Sequence, residues 1–150
     1  MLKALNVENI AVAKKLNIEF FDGFTVLTGK TGAGKSVIID SIALILGAKT
    51  QRELVRYGES SAGVTALFSG LENVGIFDEN GEASIKRTVT PDGKSTAKIN
   101  GVNVTQTALK EKASKLLTLH GQNEAMALYD KNECFTILDE YAGCVNDVSL

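Results

Sequence analysis

Residues 24–47 read "FTVLTGKTGAGKSVIIDSIALILG", and the order of residue types within them decides the fold. "FTVLT" (Phe24 to Thr28) is short, β-branched and apolar, the composition of a buried central strand. Gly29-Lys30-Thr31-Gly32-Ala33-Gly34-Lys35-Ser36 then satisfies G-x-x-x-x-G-K-[ST] at every fixed position. "KSVIIDSIALILG" follows, with Val37, Ile38, Ser41, Ile42, Leu44 and Ile45 at helical spacing and Gly47 placed to end the helix. Strand, glycine loop and helix in that order predict a phosphate-binding element.

The chemistry explains the residue types. Glycines let the backbone turn tightly, so that several N–H groups converge on one point. The helix that follows adds its free N-terminal donors and the positive end of its dipole. That dipole contributes only about 0.3–1 kcal/mol at an exposed site. A full positive charge is therefore needed, and Lys35 is expected on the β- and γ-phosphates of a bound nucleotide. Ser36 offers a hydroxyl to Mg²⁺, which bridges those phosphates. A glycine loop that merely turns the chain is the plainer alternative, and the flanking strand and helix argue against it.

Outward from this element, "LKALNVENI" alternates Leu2, Ala4 and Leu5 with polar neighbours, as a half-buried strand does. "KKLNIEFFDG" puts Leu16, Ile18 and Phe20 on one face and ends in an Asp22-Gly23 turn, so the two segments are expected to pair as an antiparallel hairpin. Residues 48–62 are polar and irregular. "GVTALFSG" is a short strand candidate. "EASIKRTVTPDGKSTAKINGVNV" reads as strand, turn, strand, turn, its turns carrying Pro91-Asp92-Gly93 and Asn100-Gly101. In "TQTALKEKASKLL", Thr105 is the expected helix cap, with Leu109, Ala113 and Leu116 on one face. "LLTLHGQ" is expected to return as a strand, and "NECFTILDEYAG" as a helix. The mixture predicts an α/β fold with an antiparallel β subdomain.

Composition bounds the rest. The 150 residues are 44% hydrophobic and 23% charged, with a formal net charge of −2. A soluble core is feasible, and global attraction to nucleic acid is not predicted, although a local basic patch is compatible with that total. Cys134 and Cys144 form no C-x-x-C pair and have no histidine nearby, so they read as small apolar fillers in a reducing compartment. "MLKALNVENIAVAKK" lacks a long apolar run and "SVIIDSIALILGA" is too short to span a bilayer, so no membrane partner is expected and the location expected is cytoplasmic.

An ATPase of this kind also needs an acidic residue for Mg²⁺ and a group that positions the attacking water. "CFTILDEYAG" would supply Asp139 and Glu140 if it were a strand. Cys134, Phe135, Leu138, Tyr141 and Ala142 recur at three- and four-residue steps, however, and Asp130 with Glu133 forms a capping box ahead of them. A helix with a surface carboxylate pair is the reading adopted. In "LTLHGQNE", His120 and Gln122 fall where a strand would run into a loop. Gln122 there could touch both Mg²⁺ and water, or be an ordinary solvated loop residue. His120 could equally be a hydrogen-bonded structural residue.

"LKALNVENIAVAKKLNIEFFDGFTVLTGKTGAGKSVIIDSIALILGAK", followed in order by "ELVRYG", "KINGVNVT", "LLTLHGQNE" and "LDEYAG", resembles the RecN family of bacterial DNA-repair proteins. These are relatives of the structural-maintenance-of-chromosomes (SMC) ATPases. The resemblance implies the N-terminal lobe of an ABC/SMC-type P-loop NTPase head. In such a head, the Walker B strand, signature motif and switch histidine lie in a C-terminal lobe beyond a long coiled coil. It implies that Gln122 contacts Mg²⁺ and the attacking water. The catalytic residues expected are thus Lys35 and Gln122, and the metal-contacting ones Ser36 and Gln122. The nucleotide-contacting set is Gly29, Lys30, Thr31, Gly32, Ala33, Gly34, Lys35 and Ser36. "HGQNEAMAL" departs from the histidine-richer form of that segment, so the resemblance assigns no role to His120 or Glu124. The partners implied are the C-terminal lobe of the same head, a second head in a homodimer, and DNA through the complete protein, at the nucleoid.

On this lobe, Lys49, Arg52, Arg56, Lys86, Arg87, Lys94 and Lys98 are candidates for contacts to the DNA backbone. A solvated charged surface is the alternative for each. Two other functional readings stay open. One is a small P-loop nucleotide kinase using Asp40 or Asp139, which the long β-meander disfavours. The other is a truncated, non-catalytic fragment with apolar surface exposed where a partner belongs.

Overall fold

A hairpin opens the chain: β1 (Leu2–Ile10) pairs antiparallel with β2 (Ala13–Glu19), Val7 facing Leu16 and Leu5 facing Ile18. The computed structural model describes residues 1–30, 34–70, 75–117, 119 and 141. The chain divides into two compact units, 1–118 and 119–150, and all elements described below lie in the first.

The turn of the hairpin is tight, with Asn9 and Ala11 at φ 54° and 47°. Such angles are unfavourable for residues with a Cβ, so something must hold them. The segment that follows a 3₁₀ turn at Arg52–Leu54 does so. Ala11 N–H donates to Leu54 O (2.9 Å), Arg56 N–H donates to Asn9 O (2.9 Å), and Arg56 Nη1 donates to Val12 O (2.6 Å).

The sheet grows from the other edge of β1. β3 (Ala62–Ser69), β4 (Glu82–Val89), β5 (Ser95–Ile99) and β6 (Val102–Val104) complete six antiparallel strands in the order β2-β1-β3-β4-β5-β6. Alternation decides which face is buried. Val64, Ala66 and Phe68 of β3 and Ala83, Ile85 and Val89 of β4 point inward, each 2% exposed or less. The Asn100-Gly101 turn between β5 and β6 has φ 49° and 80°, the paired positive angles its sequence favours.

Two helices cover the buried face. α1 (Lys35–Ile45) turns Val37, Ile38, Ser41, Leu44 and Ile45 inward and packs on β1, β3 and β4. Ser41 is satisfied within the helix, its Oγ donating to Val37 O (2.6 Å). α1 ends as its sequence predicts. Gly47 has φ 88°, its N–H reaches Leu44 O (3.1 Å), and Ala48 N–H reaches Ala43 O (2.9 Å). α2 (Gln106–Ala113) is capped by Thr105, whose Oγ1 accepts from Ala108 N–H (3.2 Å). Its inward residues Leu109 and Ala113, with Leu116 beyond, join the same core.

The structure departs from the sequence reading in two places. Phe24 to Thr28 forms no strand: Phe24 is 93% exposed, Val26 63% and Leu27 42%. A strand needs a neighbour to take its N–H and C=O groups, and the edges of the described sheet belong to β2 and β6. On β1 the buried residues are Leu5, Val7 and Ile10, with Leu2 partly buried against the same core, so that of the expected Leu2, Ala4 and Leu5 only Ala4 is outside it. The pairing with β3 shifts register between Leu2 and Ala4, which re-aims the side chains that follow. The expected helix at "NECFTILDEYAG" falls almost wholly outside the described residues, and of the expected strand at "LLTLHGQ" only Leu116, Leu117 and Leu119 are described, none of them in a strand.

Candidate phosphate-binding site

The candidate site lies at the start of α1. Gly34, at φ 90°, precedes the first helical residue, a backbone angle that a side chain would strain. No side chain caps this helix, and no acidic residue occupies its first turn. The N-terminal N–H groups and the positive end of the dipole are therefore not already neutralised by the protein's own carboxylates.

Lys35 folds back over the loop. Its ammonium donates to the carbonyls of Gly29 and Lys30, the latter at 2.8 Å. A cation held by two neutral carbonyls keeps its charge available to an anion approaching the same loop. Ser36, next along, is exposed. Among the described residues no group of histidine, cysteine, aspartate or glutamate side chains is arranged to hold a metal. Among the described residues the loop thus offers one hydroxyl, that of Ser36, which fits Mg²⁺ taken up with phosphate oxygens and water rather than in a protein cage. Thr31, Gly32, Ala33, His120, Gln122, Glu124, Asp139 and Glu140 lie outside the described residues.

The basic residues named from sequence divide into distinct groups. Lys49, Arg52, Lys86 and Lys98 are exposed, and Lys86 faces Lys98 directly across β4 and β5. Lys94 is paired with Asp92 at 2.8 Å. Arg56 is engaged by the carbonyls of the β1–β2 turn. Arg87 is 1% exposed and cannot reach a DNA backbone, which corrects that expectation. The period-2 pattern carried the signal, since Ile85, Arg87 and Val89 fall on one face of β4. Burial pushes the Arg87 guanidinium below its ordinary pKa. Arg87 Nη1 donates to Leu44 O (3.0 Å), in the last turn of α1, a contact that sequence reasoning missed.

Among the described residues no helix is long and apolar enough to cross a membrane. The sequence matches the AAA domain family over residues 4–142. It is 41% identical over 152 residues to the DNA repair protein RecN of Halalkalibacterium halodurans, covering 95% of this chain and 27% of that protein. RecN of Bacillus subtilis is 40% identical, with 95% and 26% covered. The chain therefore spans 27% and 26% of the length of these two relatives. Among solved structures, the Smc head domain with an extended coiled coil from Pyrococcus furiosus, bound to the C-terminal domain of ScpA, is similar with a TM-score of 0.75. It is 25% identical, and 95% of this chain and 42% of that one are covered.

Proposed function

The chain belongs to the AAA domain family, as a RecN-type N-terminal lobe, and from that premise we propose that it is the MgATP-binding lobe of a DNA-repair ATPase. Its fold is that of an ABC/SMC-head P-loop NTPase lobe with an antiparallel β subdomain. The observation that carries the proposal is the complete glycine loop leading into a helix whose N-terminus has neither a side-chain cap nor an acidic first turn.

In this reading, main-chain N–H groups from Gly29 to Ser36 surround the β- and γ-phosphates. Lys35 exchanges the carbonyls of Gly29 and Lys30 for phosphate oxygens. Ser36 and Gln122 are the residues that would hold Mg²⁺, which neutralises charge on the phosphates. Gln122 also orients the attacking water. Hydrolysis would require a C-terminal lobe and a second head, where the family resemblance puts the Mg²⁺ carboxylate and the signature motif, and closure of the two heads follows nucleotide binding. Exposed Phe24, Val26 and Leu27 are the apolar surface that a C-terminal lobe would cover. DNA is engaged by the complete protein, in the cytoplasm and at the nucleoid.

A turnover assay tests this assignment. The 150-residue chain alone should release phosphate from ATP no faster than buffer, and the complete protein should turn over. Brisk hydrolysis by the chain alone that is lost in Lys35→Ala would refute the division of labour. Small nucleotide kinases continue past the phosphate loop with parallel βα units, whereas here β3 to β6 form an antiparallel meander. Phosphotransfer to a nucleoside or nucleotide acceptor would restore the kinase reading.

A further inference from the structure

Arg87 is the only charged side chain fully buried among the described residues. No carboxylate accompanies it there. Nη1 donates to Leu44 O (3.0 Å), Nη2 lies 3.5 Å from Ser95 Oγ, and Nε has no hydrogen-bond partner. An unpaired buried charge is a poor way to stabilise a core, and apolar residues of similar volume usually do as well or better. Its contact is also particular. Leu44 O already accepts Gly47 N–H at the C-terminal reversal of α1, so the guanidinium joins the same carbonyl at the negative end of the helix.

We infer that Arg87 is a positioning residue for nucleotide binding, fixing from the far end the axis of the helix whose N-terminus receives the phosphates. The inference rests on the ATP-lobe reading above. The packing of Val37, Ile38, Leu44 and Ile45 on the sheet is non-directional and allows the helix to tilt. A hydrogen bond from β4 to Leu44 O opposes such a tilt by holding the C-terminal end of the helix in place. An 11-residue helix is about 16 Å long, so a tilt of about 10° about its packed middle moves each end by about 1.4 Å. Displacements of about 1 Å at a reacting group are already consequential.

The test compares Arg87→Met and Arg87→Lys in the intact protein, reading the MgATP dissociation constant by calorimetry beside the denaturant midpoint. Arg87→Met should keep or raise the midpoint and weaken MgATP about tenfold. Arg87→Lys keeps a donor for Leu44 O and should stay within about threefold of wild type. Wild-type affinity in Arg87→Met overturns the inference, as does a weakening that Arg87→Lys fails to rescue. Should Arg87→Met not fold, Arg87→Gln decides. A folded Arg87→Gln with weakened MgATP and an unchanged midpoint supports positioning, and one with wild-type affinity overturns it. Wild-type protein that binds no MgATP refutes the ATP-lobe reading itself and takes this inference with it.

Discussion

A Cβ placed on Gly47 would stand 3.0 Å from the Cα of Lys110, so α2 rests directly on the chain reversal that ends α1. Gln106 Nε2 lies 3.5 Å from Gly47 O on the same side. The end of α1 is thereby packed against the backbone of α2, and a side chain at position 47 would force that backbone to give by a few tenths of an ångström.

Gly47→Ala should therefore be destabilising for two reasons, a φ of 88° that alanine resists and a backbone neighbour that cannot rotate away. The expected loss is about 2–3 kcal/mol, read as a lowered urea midpoint with unchanged slope. An unaltered midpoint would mean that α2 does not pack on Gly47 as described.

Asn100 does more than turn the chain. Its Oδ1 accepts Ser84 N–H (2.7 Å) and its Nδ2 donates to Ile76 O (2.7 Å), joining β4, the β5–β6 turn and the segment ahead of β4. Asn100→Ala loses both bonds and puts alanine at φ 49°, for about 2 kcal/mol. Asn100→Gly keeps the angle and loses only the bonds, for about 1 kcal/mol. Equal losses in the two variants would show that the backbone angle contributes nothing.

Asp92, in the turn between β4 and β5, has its carboxyl pulled down to about 2, first by the hydrogen bond from Lys94 and then by that from Thr90. Because the folded-state value lies below the unfolded one, the unfolded chain takes up the proton first. The contribution to stability is present above about pH 4 and disappears as pH falls through about 2. The group is exposed, so the effect is small and screened by salt. Asp92→Asn should flatten the acid limb of the stability profile in that window, and a limb identical to wild type would exclude the pairing.

Local chemistry was readable from the sequence where it is set locally. The Asn100-Gly101 turn, the Thr105 cap, the Gly47 helix end and the inward residues of α1 and α2 are all fixed by neighbours within a few positions. The glycine loop matches its motif at every fixed position of the sequence, and Thr31, Gly32 and Ala33 within it lie outside the described residues. Phe24 to Thr28 was not, because a strand is defined by partners that the five residues do not specify, and their apolar character fits any buried segment. Ala4 was misjudged because the register shift between Leu2 and Ala4 brings Leu5, not Ala4, onto the core side with Leu2. Arg87 was placed on the surface by its charge, although its period-2 position between Ile85 and Val89 pointed inward. Residue type and strand position disagreed there, and position prevailed.

The most direct test of the central claim is a calorimetric titration with ATP and Mg²⁺, wild type against Lys35→Ala. A phosphate site built from the 29–36 loop predicts a single Mg²⁺-dependent binding event in wild type that weakens by at least about tenfold in Lys35→Ala, with the fold intact by circular dichroism. Equal affinity in the two proteins, or no heat of binding in wild type at saturating nucleotide, would contradict it.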